Sequence, residues 1–144
     1  MSRLLYLDTS ALLRLYTAEP DYEQVREAVA QATGVVCHQI TYVEALAALA
    51  GRRRRKLLRE REYRAVQKAF QADWPTFRHV GIDEALLGDA ARLAEGYSLR
   101  AYDSVHLAAA QAVAPLGAVF MTFDLKLREA AAEVLPHVWA PDSV

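Results

Sequence analysis

Four acidic residues stand where the pattern of the chain changes. Asp8 closes the apolar run Leu4-Leu5-Tyr6-Leu7, and Asp124 follows Val119-Phe120-Met121-Thr122-Phe123. Glu44 lies among Val43, Ala45 and Leu46, and Asp103 precedes a run of small residues that includes Ala108, Ala109 and Ala110. Taken singly, each has a structural explanation, because carboxylates at helix starts accept unpaired amide hydrogens and meet the positive end of the dipole. Thr41 and Glu44 have the spacing of a capping box, and Asp21 and Asp83 read as plain helix caps. Taken together, the four point to different chemistry. Ionised acids sharing a shielded cleft repel one another unless a cation neutralises them. Oxygen-only donors suit Mg²⁺ or Mn²⁺ rather than zinc. Such a set serves metal-assisted phosphodiester hydrolysis, in which the ion acidifies a water and offsets charge on the phosphate. Helix N-termini at the same place would favour that phosphate.

Those acids need elements to position them. Residues 3–7 read as a buried strand, 10–17 as a short helix stopped before Pro20, and 21–32 as a helix ending near Gly34. A strand at 34–38 is followed by helices at 41–50 and 56–73, then by a weaker strand at 77–82. Helices at 83–95 and 102–114 lead to a strand at 117–122, a helix at 125–134 and a last short strand at 137–139. Strands alternating with helices predict an α/β fold whose parallel sheet is covered on both faces. Ligands of such sheets bind beyond the carboxyl ends of the strands, which is where Asp8, Glu44 and Asp124 fall.

At 144 residues the chain is expected to form a single domain spanning 1–144. Its 53% hydrophobic and 24% charged content suits a globular protein, and a net charge of −1 leaves only a local patch to attract a polyanion. Cys37 is the only cysteine, so no intrachain disulfide can form. The early charge at Asp8 argues against a signal peptide, and no apolar run has the length of a membrane span. A cytoplasmic protein with no membrane contact is expected.

The stretches LDTSALL (7–13), TYVEALAAL (41–49), RAYDSVHLAAA (100–110) and MTFDLKLREAA (121–131), in that order, resemble the PIN-domain nucleases. Within them they resemble the VapC-like toxins of type II toxin–antitoxin pairs. The resemblance implies a three-layer α/β/α sandwich with a central parallel sheet of about five strands. It implies an Mg²⁺- or Mn²⁺-dependent endoribonuclease with an RNA substrate, a cognate antitoxin and a homodimeric state. It places the catalytic and metal-binding set at Asp8, Glu44, Asp103 and Asp124, the last reaching the metal through water. Ser10 and Thr122 would support the acids by hydrogen-bonding a carboxylate or a bound water. The arginine-rich segment after Gly51 is denser than the family pattern requires and leaves substrate choice open.

Other features carry two readings. Arg52 to Lys56, continuing into Arg59, Arg61, Arg64 and Lys68, is either a solvated helical face with i,i+4 pairs or a patch for phosphates or an acidic partner. His106, three residues after Asp103, has metal-pair spacing, but the resemblance makes it a supporting or packing residue. His38, His79 and His137 share no motif, and Trp74 and Trp139 read as packing residues. The apolar faces around Leu12, Leu13, Leu15, Tyr16, Tyr22, Val25 and Val29 either fill the core or seat an antitoxin peptide or second subunit. Three rivals to the nuclease remain: a phosphoesterase on another fold, a non-catalytic PIN-like RNA- or protein-binding module, and acids that only cap helices.

Overall fold

A computed structural model describes residues 3–141. Its elements run β1 (Leu4–Leu7), α1 (Thr9–Leu13), α2 (Tyr22–Gln31), β2 (Gly34–His38), α3 (Ile40–Arg54), α4 (Glu60–Asp73), β3 (Arg78–Val80), α5 (Glu84–Tyr97), α6 (Ala101–Val113), β4 (Val119–Met121) and α7 (Leu125–Val134). The strands form one parallel sheet in the order β3-β2-β1-β4.

The unbroken apolar character of β1 follows from its central place. Leu4 and Tyr6 enter one core with Leu86, Leu93, Leu107, Phe120 and Leu127, contributed by β4, α5, α6 and α7. Leu5 and Leu7 enter the opposite core with Leu12, Val25, Leu49, Tyr63 and Phe70, contributed by α1 to α4. Both faces are dry, so the strand has no polar alternation. The layers obey the handedness of parallel crossovers. The chain moves outward from β1 to β3 with α1 to α4 on one face, then returns to β4 with α5 and α6 on the other. Strand order therefore reverses between β1 and β4, and the crevice beyond their carboxyl ends is the place for a ligand.

The sheet has four strands rather than about five. The segment expected to add the fifth reaches β4 through one parallel bridge, Phe120 to Val138, with bonds of 3.0 and 2.8 Å. Pro136 and Pro141 frame it, and proline has no amide hydrogen to extend a ladder. The strand expected at 77–82 is shortened to Arg78–Val80, an exposed edge carrying Arg78 and His79, the sort of charge that discourages further pairing. The helix expected at 41–50 runs on to Arg54. Arginine is a good helix former, and three of them at the last turn meet the negative end of the dipole. Lys56, at φ 60°, turns the chain toward α4, which starts at Glu60 rather than at 56. Among the described residues no helix is long and apolar enough to cross a membrane.

The capping expectations divide. Asp83 accepts the Leu86 amide at 2.7 Å and caps α5. Asp21 makes no side-chain cap bond and sits at φ 68° instead; its short polar side chain tolerates the left-handed turn after Pro20. The Thr41–Glu44 capping box does not form. The helix begins one residue earlier, Thr41 is buried with an unpaired hydroxyl, and Glu44 turns to other partners.

Candidate active site

β1 delivers Asp8 to the edge of the sheet, where its amide donates to the Met121 carbonyl at 3.2 Å and continues the β1–β4 pairing. Its side chain is 4% exposed. Oδ1 accepts from the Ala11 amide at 3.0 Å, capping α1, and from the Ser10 hydroxyl at 2.7 Å. Oδ2 accepts from the Thr122 hydroxyl. The two hydroxyls are themselves held: Ser10 Oγ accepts from the Phe123 amide at 3.0 Å, and Thr122 Oγ1 from the Asp124 amide at 3.1 Å. Each hydroxyl thus spends its proton on Asp8 and its lone pair on the loop after β4, which fixes the plane of the carboxylate. Burial pushes the Asp8 carboxyl up, against the downward pull of His106 and the three donors. When ionised, Asp8 is a costly charge, because none of its direct hydrogen-bonding partners carries a compensating one.

Glu44 approaches from α3. Its Oε1 accepts from the Thr9 hydroxyl at 2.7 Å and from His106 Nε2 at 2.8 Å. His106, 2% exposed on α6, is bonded through Nδ1 to the Tyr6 hydroxyl at 2.9 Å. The Glu44 carboxylate can only accept, so Nε2 carries the ring proton. In the neutral ring Nδ1 then accepts from the Tyr6 hydroxyl, which burial keeps protonated. Burial also pushes the Glu44 carboxyl up, but His106, helped by Thr9 and His38, outweighs it and holds Glu44 below the usual carboxylate range. His38 lies beside His106 with ring centroids 6.5 Å apart, and burial lowers its pKa.

Asp103 and Asp124 meet through an arginine. Arg100 gives Nε to Asp103 Oδ2 at 3.0 Å and Nη2 to Asp124 Oδ2 at 3.3 Å. Asp124 also keeps its capping role, with Oδ1 accepting the Leu127 amide at 2.8 Å. The four acids are consequently tied into one network: Thr122 joins Asp8 to Asp124, Arg100 joins Asp124 to Asp103, and Thr9 reaches Glu44 from the residue next to Asp8. Their donor chemistry fits a hard divalent cation, and the uncompensated charge of Asp8 fits it too. Among the described residues, however, no three acidic, histidine or cysteine side chains converge as a ready-made metal cluster. Asp103 and Asp124 close on the guanidinium instead.

The remaining sequence features sort plainly. Much of the basic stretch is engaged within the chain: Arg52 pairs with Glu19 at 2.8 Å, and Arg53 lies over the Tyr63 ring at 4.3 Å. Arg54, Arg55 and Lys56 are exposed. Trp74 stacks on His79 at 4.1 Å and Trp139 packs on Phe123 at 5.2 Å. Burial pushes the Cys37 thiol up to about 12, which makes it an inert core residue. Leu12, Leu13 and Val25 are core. Sequence reading passed over Tyr6, Thr9, His38 and Arg100. A phenol inside an otherwise aliphatic buried strand, and an arginine three residues before Asp103, were the available signals.

Comparison with known proteins agrees with this fold. Residues 5–133 match the PIN domain. The chain is 30% identical over 128 residues to Ribonuclease VapC45 of Mycobacterium tuberculosis, covering 89% of each chain. Its fold is similar to that of FitAcB from Neisseria gonorrhoeae, with a TM-score of 0.71, 21% identity and coverage of 94% and 96% of the two chains. It is also similar to a toxin–antitoxin complex from Klebsiella pneumoniae, with a TM-score of 0.66, 19% identity and coverage of 97% and 99%.

Proposed function

Since this chain belongs to the PIN-domain family, we propose that it is a divalent-metal-dependent endoribonuclease and the toxin of a toxin–antitoxin pair. The observation that carries the reading is Asp8: a buried carboxylate held in plane by three donors, at the crevice where strand order reverses, with Glu44 alongside. The ribonuclease name of the relative at 30% identity supports the substrate class.

Asp8, Glu44 and Asp103 would hold Mg²⁺ or Mn²⁺, with Asp124 contributing through water. A bound ion supplies acidification of the attacking water and offsets charge on the phosphate and leaving oxygen. The chain's own residues do the rest. Ser10 and Thr122 keep the Asp8 carboxylate aimed, and His106, fixed by Tyr6, keeps Glu44 ionised and oriented. α6 begins at the same edge with no side-chain cap, leaving its first amides free for an anionic ligand. An antitoxin segment would find a groove of about 670 Å³ lined by Tyr16, Arg26, Arg52, Leu57 and Val66. A toxin–antitoxin complex among the structures of similar fold supports the antitoxin partner, and a homodimer is part of the same proposal.

One observation favours the non-catalytic reading: Asp103 and Asp124 rest on Arg100 rather than around a common point. Incubating a mixed pool of RNA with purified protein in Mn²⁺, Mg²⁺ or EDTA, beside Asp8→Asn, separates the two. Metal-dependent cutting that vanishes in the variant supports the nuclease. A folded wild type that binds RNA and cuts none of it supports the binding module.

A further inference from the structure

Arg100 is the unusual member of the cleft. Its side chain is 79% exposed, while the two carboxylates it joins are 19% and 31% exposed. It uses two different nitrogens for two residues 21 positions apart. Asp124 commits Oδ1 to the Leu127 amide, so Oδ2 is its free oxygen, and that is the atom the guanidinium takes. Among the described residues Arg100 is the only lysine or arginine paired with any of the four acids. Arg128, on α7, gives Nη2 to the Thr122 carbonyl at 2.8 Å and lies against Phe123 and Trp139. Among the described residues no aromatic ring lies under the Arg100 guanidinium to retain it, and Arg100 caps α6 through its backbone alone.

On the nuclease reading above, we propose that Arg100 is the exchangeable cation of the cleft. In the ion-free protein it neutralises Asp103 and Asp124; it yields them to a divalent ion, and its freed guanidinium then binds a phosphate of the RNA substrate. The physical grounds are three. A guanidinium and a metal ion cannot occupy the same carboxylate oxygens. Exposed ion pairs are weak, so Arg100 leaves at small cost. Its planar fork matches phosphate geometry, and its anchor on the residue before α6 keeps it at the mouth after release. This accounts for four acids gathered at one edge without a ready-made metal cluster.

The test compares wild type, Arg100→Gln and Arg100→Lys in two titrations at matched salt. One is Mn²⁺ by calorimetry in the absence of RNA. The other is a labelled mixed-sequence single-stranded RNA with Ca²⁺ in place of Mn²⁺. Arg100→Gln should bind Mn²⁺ about three- to tenfold more tightly, because its competitor is gone. It should bind RNA about tenfold or more weakly, because no guanidinium remains to meet the phosphate. Arg100→Lys keeps the charge without the fork, so it should lie between the two in both titrations. A merely structural role would not move the two affinities in opposite directions. Unchanged or weaker Mn²⁺ binding by Arg100→Gln overturns the exchange, and unchanged RNA affinity overturns the phosphate pairing. A wild type that binds no Mn²⁺ overturns both this proposal and the nuclease reading, whereas a wild type that binds Mn²⁺ and cuts RNA, with Arg100→Gln matching it, overturns this proposal alone.

Discussion

Asp8→Asn should raise the melting temperature of the ion-free protein while abolishing its response to metal. The substitution keeps the side chain's shape and its acceptor for the Ala11 amide, now 3.0 Å away. Asparagine is as good a helix cap as aspartate. The Thr122 hydroxyl, which donates to Oδ2, can rotate to accept from the new amide. What disappears is a charge at a position 4% exposed. Burial raises the Asp8 carboxyl, with His106 and the hydrogen bonds only opposing it. A carboxyl whose pKa is higher folded than unfolded binds its proton more tightly in the native state. Its ionisation therefore costs stability, and the cost grows as pH climbs from the unfolded value through the raised folded one. At neutral pH and above the ion-free variant should be more stable by about 1 kcal/mol, the scale typical of relieving a functional site. For 144 residues that is about 3 °C. Toward the ordinary carboxylate range the difference should shrink. With Mn²⁺ at about 100 times its Kd, wild type should gain about 2.7 kcal/mol, or about 9 °C, and the variant little. Scanning calorimetry in EDTA and in Mn²⁺, at a mildly acidic and a mildly alkaline pH, should show the order of melting points inverting with metal. A variant that melts several degrees lower in EDTA would mean Asp8 is a structural acceptor. One that keeps the full Mn²⁺ shift would mean the ion sits elsewhere. Either result refutes the reasoning.

His106→Ala should cost about 1–3 kcal/mol, since it strands the buried Tyr6 hydroxyl. Glu44, whose folded pKa is depressed, contributes stability above its unfolded pKa that is lost as pH falls through the folded value. Urea titrations should therefore show the gap between wild type and His106→Ala narrowing in acid. Asp83→Ala should cost about 1 kcal/mol by loss of the α5 cap, while Asp21→Gly should be neutral or stabilising by up to about 1 kcal/mol, because φ 68° suits glycine; paired thermal melts check both. Replacing the exposed Arg54, Arg55 and Lys56 by alanine should leave the melting point within about 2 °C. If that patch meets RNA, the log–log salt slope of binding should flatten by about one for each phosphate the variant no longer neutralises, and an identical slope would assign the patch to solvent. Phe70→Ala, at 0% exposure in the core between β1 and α4, should cost about 3–5 kcal/mol in denaturant unfolding.

Much of the fold was legible because it rests on local patterns. The dry strand 4–7, the helix stops near Gly34 and Pro115, and the alternation of strands with helices are short-range facts, and the structure keeps them; the helix expected at 10–17 instead ends at Leu13, well short of Pro20. The errors fall where a neighbour overrides the pattern. Thr41 and Glu44 have capping-box spacing, yet Glu44 is drawn off by Thr9 and His106, 35 and 62 residues away. The segment 137–139 has strand character, yet its flanking prolines hold it to one bridge. The run Arg52 to Lys56 looked like a single basic feature, but α3 spends Arg52 and Arg53 on Glu19 and Tyr63 and leaves the rest to solvent.

The sequence by itself determined which side chains are available and at which strand and helix ends they appear, because type and periodicity are written along the chain. It placed Asp8, Glu44 and Asp124 at one edge of a parallel sheet, since in such a sheet every strand ends on the same side. Only the tertiary structure decided their partners. Asp8 owes its cradle to Thr122, 114 residues away, Glu44 its charge state to His106, and Asp103 and Asp124 their shared guanidinium to Arg100. Hydrogen bonds and ion pairs act over about 3 Å. Beyond local pairs such as Arg100 with Asp103, no spacing along the chain specifies which groups come that close until the packing of α3, α6 and α7 onto β1 and β4 brings them there.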